Sequence, residues 1–189
     1  MLAYTPTALS ETILVLGDSL SAAYGIKREQ GWVSLLGNSL GDDYQLVNAS
    51  ISGETTGGGL NRLPTLLKQH HPDYVIVELG GNDGLRGQSI ATMKNNLNRI
   101  IDLSQAANAK VLMLGMHVPP NYGKRYAKLF HQSFLTIAEQ RAIPIVPFFL
   151  DGVAGDPALI QADRIHPNAK AQSIMLENVR DAINTLLQR

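Results

Sequence analysis

The chain has 189 residues, enough for one domain with a substantial core, and 44% of them are hydrophobic. Lys plus Arg and Asp plus Glu both number 16, so the formal net charge is zero and gives no electrostatic reason to expect a nucleic-acid or anionic-membrane partner. The chain has no cysteine, which excludes disulfides, thiol catalysis and thiolate metal sites. No stretch is apolar over the length that spans a bilayer, so we expect no integral membrane segment.

Residues 1–11 are predicted to form an N-terminal tail, and residues 12–189 a single domain. The first ten residues, MLAYTPTALS, fit no secondary-structure element well. Ala8-Leu9-Ser10 places small residues at the spacing of a signal-peptidase site, although no basic region or long apolar segment precedes it. The tail is therefore either the remnant of an export signal or an ordinary disordered terminus.

Short apolar runs and amphipathic segments alternate along the rest of the chain. Strands are predicted at residues 12–16, 45–49, 74–79, 110–116 and 143–149, where nearly continuous apolar residues are typical of strands buried on both faces. Apolar residues recur at the helical period in segments that begin near Trp32, Ile90, Tyr126 and Met175. Residues 60–71 also have a helical pattern, but we expect Pro64 to start, kink or split that helix.

This alternation predicts a single-domain α/β fold with three layers, α/β/α, around a five-stranded parallel sheet. The flavodoxin-like strand order 2-1-3-4-5 is the order we expect. Ligands of such sheets bind beyond the carboxyl ends of the strands. Ser19 follows the first strand, Gly53 the second and Asn82 the third, while Asp163 and His166 lie in the loop after the fifth.

These residues have the chemistry of a serine hydrolase. A serine nucleophile needs a histidine to accept its proton and usually a carboxylate to orient that histidine. We therefore interpret Ser19 as the nucleophile, His166 as the general base and then acid, and Asp163 as the residue that orients His166. The backbone N–H of Ser19, Gly53 and the side-chain amide of Asn82 are candidate donors to the oxyanion.

Four sequence blocks, GDSL, SGETT, GGND and DRIHP, occur in the order that defines the SGNH/GDSL hydrolase family, with Ser19, Gly53, Asn82 and His166 as the key residues. Longer segments, among them LVLGDSLSAAYG and RLPTLLKQHHPDYVIVELGGNDGLRG, resemble the bacterial thioesterase I/lysophospholipase/arylesterase subgroup over residues 12–188. The resemblance implies a flavodoxin-like acyl hydrolase that uses no metal or cofactor. It further implies export to the periplasm and activity on small-molecule aryl esters, acyl thioesters and lysophospholipids. Nothing in the sequence asks for more than a monomer.

Each of these residues also has a structural interpretation. Asp18 or Ser19 could cap a helix, Gly53 and Asn82 could be turn residues, and Asp163 and His166 could lie on the surface before the last helix. Two other functions remain open: a carbohydrate O-deacetylase of the same family and a non-enzymatic binding module. Aromatic residues make up only 6% of the chain, which leaves little material for a sugar-stacking surface.

Other residues near the strand ends give weaker expectations. The glycines of residues 84–89 would permit a mobile loop over the site. Leu85, Val118, Pro119 and Pro120 are candidates for an apolar groove that holds the acyl chain. The remaining histidines are interpreted as structural: His70 and His71 at a helix end, His131 exposed on a helix, and His117 after the fourth strand. His117 has the alternative of lining the substrate groove.

Overall fold

A computed structural model describes residues 10–188, which contain five strands and six α-helices. The strands are β1 (Glu11–Gly17), β2 (Tyr44–Asn48), β3 (Tyr74–Glu78), β4 (Lys110–Leu114) and β5 (Ile145–Val146). The helices are α1 (Trp32–Leu40), α2 (Thr56–His70), α3 (Gly81–Leu85), α4 (Ile90–Ala106), α5 (Lys124–Arg141) and α6 (Gln172–Leu187). The proposed signal remnant falls mainly on residues 1–9 and so lies outside the described residues.

The strands form one parallel sheet in the order β2-β1-β3-β4-β5, which confirms the predicted topology. On one face α1 packs against α6, and on the other α2 packs against α4 and α4 against α5. β1 and β3 at the centre are almost completely buried, as their apolar composition requires. Within the described residues, no helix is long and apolar enough to cross a membrane.

Aromatic residues fill the two spaces between the sheet and its helices. Phe130 and Phe134 of α5 are fully buried, with their ring centroids 5.3 Å apart. Trp32 of α1 is also fully buried and meets Phe149 edge to face, at 5.2 Å between centroids. Full burial of side chains of this size stabilises a fold by about 1.5–3 kcal/mol each, so these contacts fix the helices against the sheet.

Two elements differ from their predicted bounds for reasons that involve proline. β5 has two residues instead of seven, because Pro144 and Pro147 flank it and have no N–H to extend the ladder. Helix α2 begins at Thr56, where the Thr55 side chain accepts the N–H of Gly58. Pro64 neither starts nor splits α2, since it lies on the exposed face, where water can satisfy the carbonyl group that proline leaves unpaired.

Candidate active site

The nucleophile loop begins where β1 ends. Gly17 is paired in register with Glu78 of β3, and a Cβ atom at Gly17 would lie 2.8 Å from oxygen atoms of Glu78, Ser21 and Ser50. Any larger residue at this point would therefore displace at least one of these three side chains. The chain then turns tightly, with the N–H of Ala22 donating to the carbonyl of Asp18 at 3.0 Å. This turn places Ser19 just beyond the carboxyl end of the central strand.

Ser19, His166 and Asp163 are joined by a continuous chain of hydrogen-bond contacts. His166 Nε2 lies 2.9 Å from Ser19 Oγ, and His166 Nδ1 lies 2.6 Å from Asp163 Oδ2. The other carboxylate oxygen of Asp163 accepts the backbone N–H groups of Ile165 and His166, both at 3.0 Å. The structure thus brings together the three residues that the sequence predicted as a triad.

Asp163 is held in its ionised form. The backbone N–H of His166, its imidazole and the N–H of Ile165 lower the pKa of Asp163 to about 2. A carboxylate can only accept hydrogen bonds, so Nδ1 of His166 carries a proton and, in the neutral ring, Nε2 is left as an acceptor. Nε2 is the atom that faces the hydroxyl of Ser19.

The loop that carries His166 is tied directly to the nucleophile loop. The side-chain amide of Gln161 donates to the carbonyl of Tyr24 at 2.8 Å and to the carbonyl of Pro167 at 2.9 Å. The ring of Tyr24 lies against the His166 imidazole, with 4.4 Å between centroids. Neither residue was singled out from the sequence, because no local pattern indicates that these two distant loops meet.

Two of the candidate oxyanion donors have free N–H groups. Within residues 10–188, the backbone N–H groups of Ser19 and Gly53 donate to no protein acceptor. Gly53 has a φ of +79°, a conformation that favours glycine, and its carbonyl accepts Arg86 Nη2 at 2.9 Å. Arg86 therefore anchors the peptide group that follows Gly53, next to the one that carries the free N–H.

Asn82 is held differently from the two backbone donors. Its Nδ2 atom lies 2.9 Å from Asp18 Oδ2 and 3.0 Å from the carbonyl oxygen of Glu54. An amide nitrogen has two hydrogens, so both are already engaged. Asn82 can donate to an oxyanion only by exchanging or sharing one of these acceptors, which the sequence alone does not reveal.

A buried pair of carboxyl groups, Asp18 and Glu78, lies beneath the nucleophile. Glu78 is fully buried, and its Oε2 accepts the N–H of Asp18 at 3.1 Å and the hydroxyl of Ser21 at 2.7 Å. Burial raises the pKa of Asp18 to about 6 and raises that of Glu78 well above its usual value. Sequence reasoning missed this pair, although a glutamate inside the apolar run YVIVEL was a signal for it.

The segment 84–89 differs from the predicted loop. Gly84 is a buried residue of α3, where a Cβ atom would overlap Val118 and Phe130, so this glycine serves packing. Hydroxyl groups of Tyr122 and Tyr126 donate to the carbonyls of Leu85 and Gln88, at 2.9 and 3.1 Å. Mobility of residues 86–89 remains a prediction.

The residues proposed for an acyl groove have mixed exposure. Val118 is buried, Leu85 is half-buried and Pro119 is exposed, while the side chain of Pro120 lies outside the part of the chain that the structure describes.

The other histidines are placed largely as expected, with one exception. His70 ends α2 and His71 caps it in a left-handed conformation. His131 is half-buried instead of exposed, because its ring stacks on His117 with 3.7 Å between centroids. Among the described residues, no group of three or more histidine, aspartate or glutamate side chains could hold a metal ion.

Residues 15–174 match the model of the GDSL-like Lipase/Acylhydrolase family. The chain belongs to this family. It is 50% identical to the esterase TesA of Pseudomonas aeruginosa over 97% of this chain and 92% of that protein. It is 44% identical to the thioesterase 1/protease 1/lysophospholipase L1 of Escherichia coli (strain K12), over 90% of this chain and 82% of that protein.

A solved structure of the psychrotrophic esterase EstA from Pseudoalteromonas, inhibited by monoethylphosphonate, superimposes with a TM-score of 0.89 at 46% identity. The match covers 95% of this chain and all of EstA. The predicted family, the α/β fold and the class of enzyme, an acyl hydrolase, are confirmed by these likenesses.

Proposed function

We propose that this protein is a serine hydrolase that cleaves carboxylic esters and acyl thioesters through an acyl-enzyme on Ser19. The observation that supports the proposal most directly is the contact chain from Ser19 Oγ through His166 to Asp163, at 2.9 and 2.6 Å. Both distances are short enough for proton transfer and orientation in the ground state. Asp163 and His166 are only three residues apart, so one short loop delivers both.

The first half of the reaction forms the acyl-enzyme. Ser19 Oγ attacks the substrate carbonyl carbon while His166 Nε2 accepts the hydroxyl proton, and the negative charge passes to the carbonyl oxygen. The intermediate collapses when the bond to the alcohol or thiol breaks, and His166 returns the proton to that leaving group. The ionised Asp163 stabilises the imidazolium that exists between these two steps.

The second half of the reaction releases the acid. A water molecule attacks the acyl carbon with His166 as the base, and Ser19 leaves as its hydroxyl with the proton returned from His166. In both halves we assign oxyanion stabilisation to the N–H groups of Ser19 and Gly53 and to the Asn82 amide. Each such donor typically contributes about 3–4 kcal/mol to the transition state.

The decisive experiment compares wild type with Ser19→Ala on p-nitrophenyl butyrate, p-nitrophenyl palmitate and palmitoyl-CoA. Ser52→Ala is the matched control, because Ser52 is an exposed serine after the neighbouring strand. We expect wild type and Ser52→Ala to hydrolyse the substrates and to react with a fluorophosphonate probe, and Ser19→Ala to do neither. Circular dichroism checks that all three proteins are folded.

The same substrates, tested beside acetylated sugars, separate the rival functions. Activity on the palmitoyl substrates supports a long-chain esterase or thioesterase, whereas activity on acetylated sugars alone identifies an O-deacetylase. Failure of the wild type to react with any substrate or with the probe contradicts a serine hydrolase.

We further propose that the enzyme acts as a monomer in the periplasm. The support is the resemblance to exported family members and the small residues Ala8 and Ser10, which have the spacing of a signal-peptidase site. Light scattering of the purified protein tests the first point. Release of the protein by osmotic shock from cells expressing the full-length gene tests the second, and retention with the cytoplasmic fraction contradicts it.

A further inference from the structure

We propose that Glu78 is a positioning residue that works as a neutral carboxylic acid: beneath Ser19 it holds the nucleophile loop and, through the Asp18 carboxylate, the Asn82 amide. Within the described residues Glu78 has no hydrogen bond to Ser19, His166 or Asp163, and the mechanism above does not use it. The inference rests on the proposed function, because it concerns how the same oxyanion site is organised.

Glu78 is placed to act on the loop from below. It is the last residue of β3, paired in register with Gly17, and none of its surface is exposed. Gly17, which precedes Asp18 and Ser19, has no side chain, so the Glu78 carboxyl group reaches under the turn. A carboxyl group in this setting needs a specific set of partners, since unpaired buried polar groups are costly.

The hydrogen bonds at Glu78 have a defined direction. The indole N–H of Trp32 donates to Ser21 Oγ at 3.2 Å, and a hydroxyl that accepts there gives its own hydrogen to Glu78 Oε2 at 2.7 Å. Oε2 also accepts the N–H of Asp18. Oε2 is therefore an acceptor of two bonds, and both bonds fix the turn that carries Ser19.

The other oxygen, Oε1, is buried and no donor reaches it within the described part of the chain. An ionised Glu78 would leave that half of its charge unpaired, next to a second carboxyl group on Asp18. A proton on Oε1 removes the charge, disturbs neither bond at Oε2, and has the adjacent Asp18 carboxylate as its acceptor. The hydrogen-bond pattern thus assigns the proton of the pair to Glu78.

Asp18 has the partners that an ionised carboxylate needs. Its Oδ1 accepts the N–H of Leu20 at 3.0 Å, and its Oδ2 accepts Asn82 Nδ2 at 2.9 Å. The Asp18 and Glu78 side chains are also in hydrogen-bond contact, and His166 attracts the Asp18 charge. Asp18 is the ionisable neighbour of Glu78, and the pKa of Glu78 is raised by burial first and by Asp18 second.

The neutral state of Glu78 has a catalytic consequence. A second negative charge beside Asp18 would push that carboxylate away from Asn82, so the amide would lose the acceptor that fixes its orientation. The nucleophile loop would shift at the same time, because Asp18 N–H and Ser21 are bound to Glu78. Both effects misplace donors that stabilise the oxyanion, and such donors act mainly on kcat.

The test compares Glu78→Gln with Glu78→Leu on p-nitrophenyl butyrate. Glutamine has the same shape, accepts at one atom and donates at the other, and is never ionised. We expect Glu78→Gln to keep kcat within about threefold of wild type, and Glu78→Leu to lose about 10²-fold in kcat with little change in KM. Equal losses in both variants would show that the ionised carboxylate is needed and would overturn the proposal.

Infrared difference spectra provide a readout that needs no activity and no Leu variant. The spectrum of wild type minus Glu78→Gln at neutral pH should contain a carboxylic-acid C=O band that shifts in D2O, whereas a carboxylate band instead would refute the neutral state. Failure of the proposed function and failure of the proposed role of Glu78 give different results. If Ser19→Ala retains activity, the proposed function fails; if Ser19 is essential but Glu78→Gln is inactive, only the role of Glu78 fails.

Discussion

Asp163 shows how much chemistry depends on one oxygen atom. Its Oδ1 receives two backbone N–H groups and would be kept by an asparagine, but its Oδ2 receives Nδ1 of His166. In Asp163→Asn an NH₂ group would face Nδ1, forcing the proton onto Nε2, which then cannot accept from Ser19. By analogy with other triads we expect kcat to fall by up to about 10⁴-fold with the fold intact.

Steady-state kinetics beside circular dichroism measure this effect. Asp156→Asn is a matched control, since Asp156 Oδ1 also accepts a backbone N–H, that of Ala158 at 2.8 Å, in an exposed loop. A kcat of Asp163→Asn within tenfold of that control would mean that Asp163 does not set the tautomer of His166.

Two buried carboxyl groups near Asn82 should lose different amounts of stability when each is replaced by its amide. Asp83 receives a donor on each oxygen, the Thr56 N–H at 2.9 Å and the Thr56 hydroxyl at 2.5 Å. An amide cannot accept at both atoms, so Asp83→Asn leaves one donor unpaired and should lower the free energy of unfolding by about 1–3 kcal/mol. Glu78→Gln should lower it by less, because one Glu78 oxygen faces no donor.

Urea unfolding of both variants measures the contrast. A larger loss in Glu78→Gln than in Asp83→Asn would indicate that both oxygens of Glu78 need donors, contrary to the hydrogen bonds seen at that side chain.

At the scale of elements, the short helix α3 sets the position of Asn82, and its packing depends on Gly84. A Cβ atom there would overlap Val118 and Phe130, both buried. Gly84→Ala should therefore destabilise the fold by about 1–3 kcal/mol and lower kcat, as α3 shifts away from the site. Gly87 lies in open space with φ +62°, so Gly87→Ala should cost only backbone strain of about 1–2 kcal/mol and leave kcat nearly unchanged.

Kinetics and unfolding of these two variants test whether the glycines serve packing or motion. If Gly87→Ala reduced kcat more than Gly84→Ala, the mobile-loop hypothesis would be favoured instead.

The strands and the long helices of this fold could be predicted from the spacing of hydrophobic residues and from the order of the segments along the chain. The five strands followed from buried apolar runs separated by amphipathic helices. Their order was taken from the common flavodoxin-like arrangement, and the five proposed site residues came from the chemistry and spacing of polar residues after the strands. Helix α3 was not predicted, since GGND is a turn sequence by composition; in the structure its Asp83 accepts the N–H of Thr56, a residue 27 positions earlier. The span of β5 was overestimated because its two flanking prolines were given too little weight.

For the molecule as a whole, the register between strands brings together residues that are far apart in the sequence, and the sequence alone does not show these contacts. Glu78 acquires its role because β3 is placed beside β1 so that it pairs with Gly17, 61 residues earlier. A glutamate in an apolar run predicts a buried carboxyl group but does not predict which residue it contacts. The contact between Gln161 and Tyr24 likewise depends on how the loop after β5 folds back across the sheet.

The Asp18–Glu78 pair should also make the stability of the whole protein depend on pH in a specific direction. Both carboxyl groups have raised pKa values in the folded state, about 6 for Asp18 and well above the usual value for Glu78. The folded protein therefore holds protons that the unfolded chain has released above about pH 4.5, and its free energy of unfolding falls as pH rises. Asp163, whose pKa is lowered, acts in the opposite direction and only below about pH 4.

Glu78→Gln removes the Glu78 contribution and also alters that of Asp18, whose pKa depends in part on its contact with Glu78. The difference in unfolding free energy, Glu78→Gln minus wild type, should therefore become more positive as pH rises over a range that starts at about pH 4.5, the ordinary pKa of this carboxyl group, by at most about 1.4 kcal/mol per pH unit for each proton involved. Urea unfolding across that range measures it. A difference that does not change with pH would mean that Glu78 has the same pKa in the folded and the unfolded chain. Because a neutral, fully buried Glu78 requires a raised pKa in the folded chain, the neutral-acid role would then have to be abandoned.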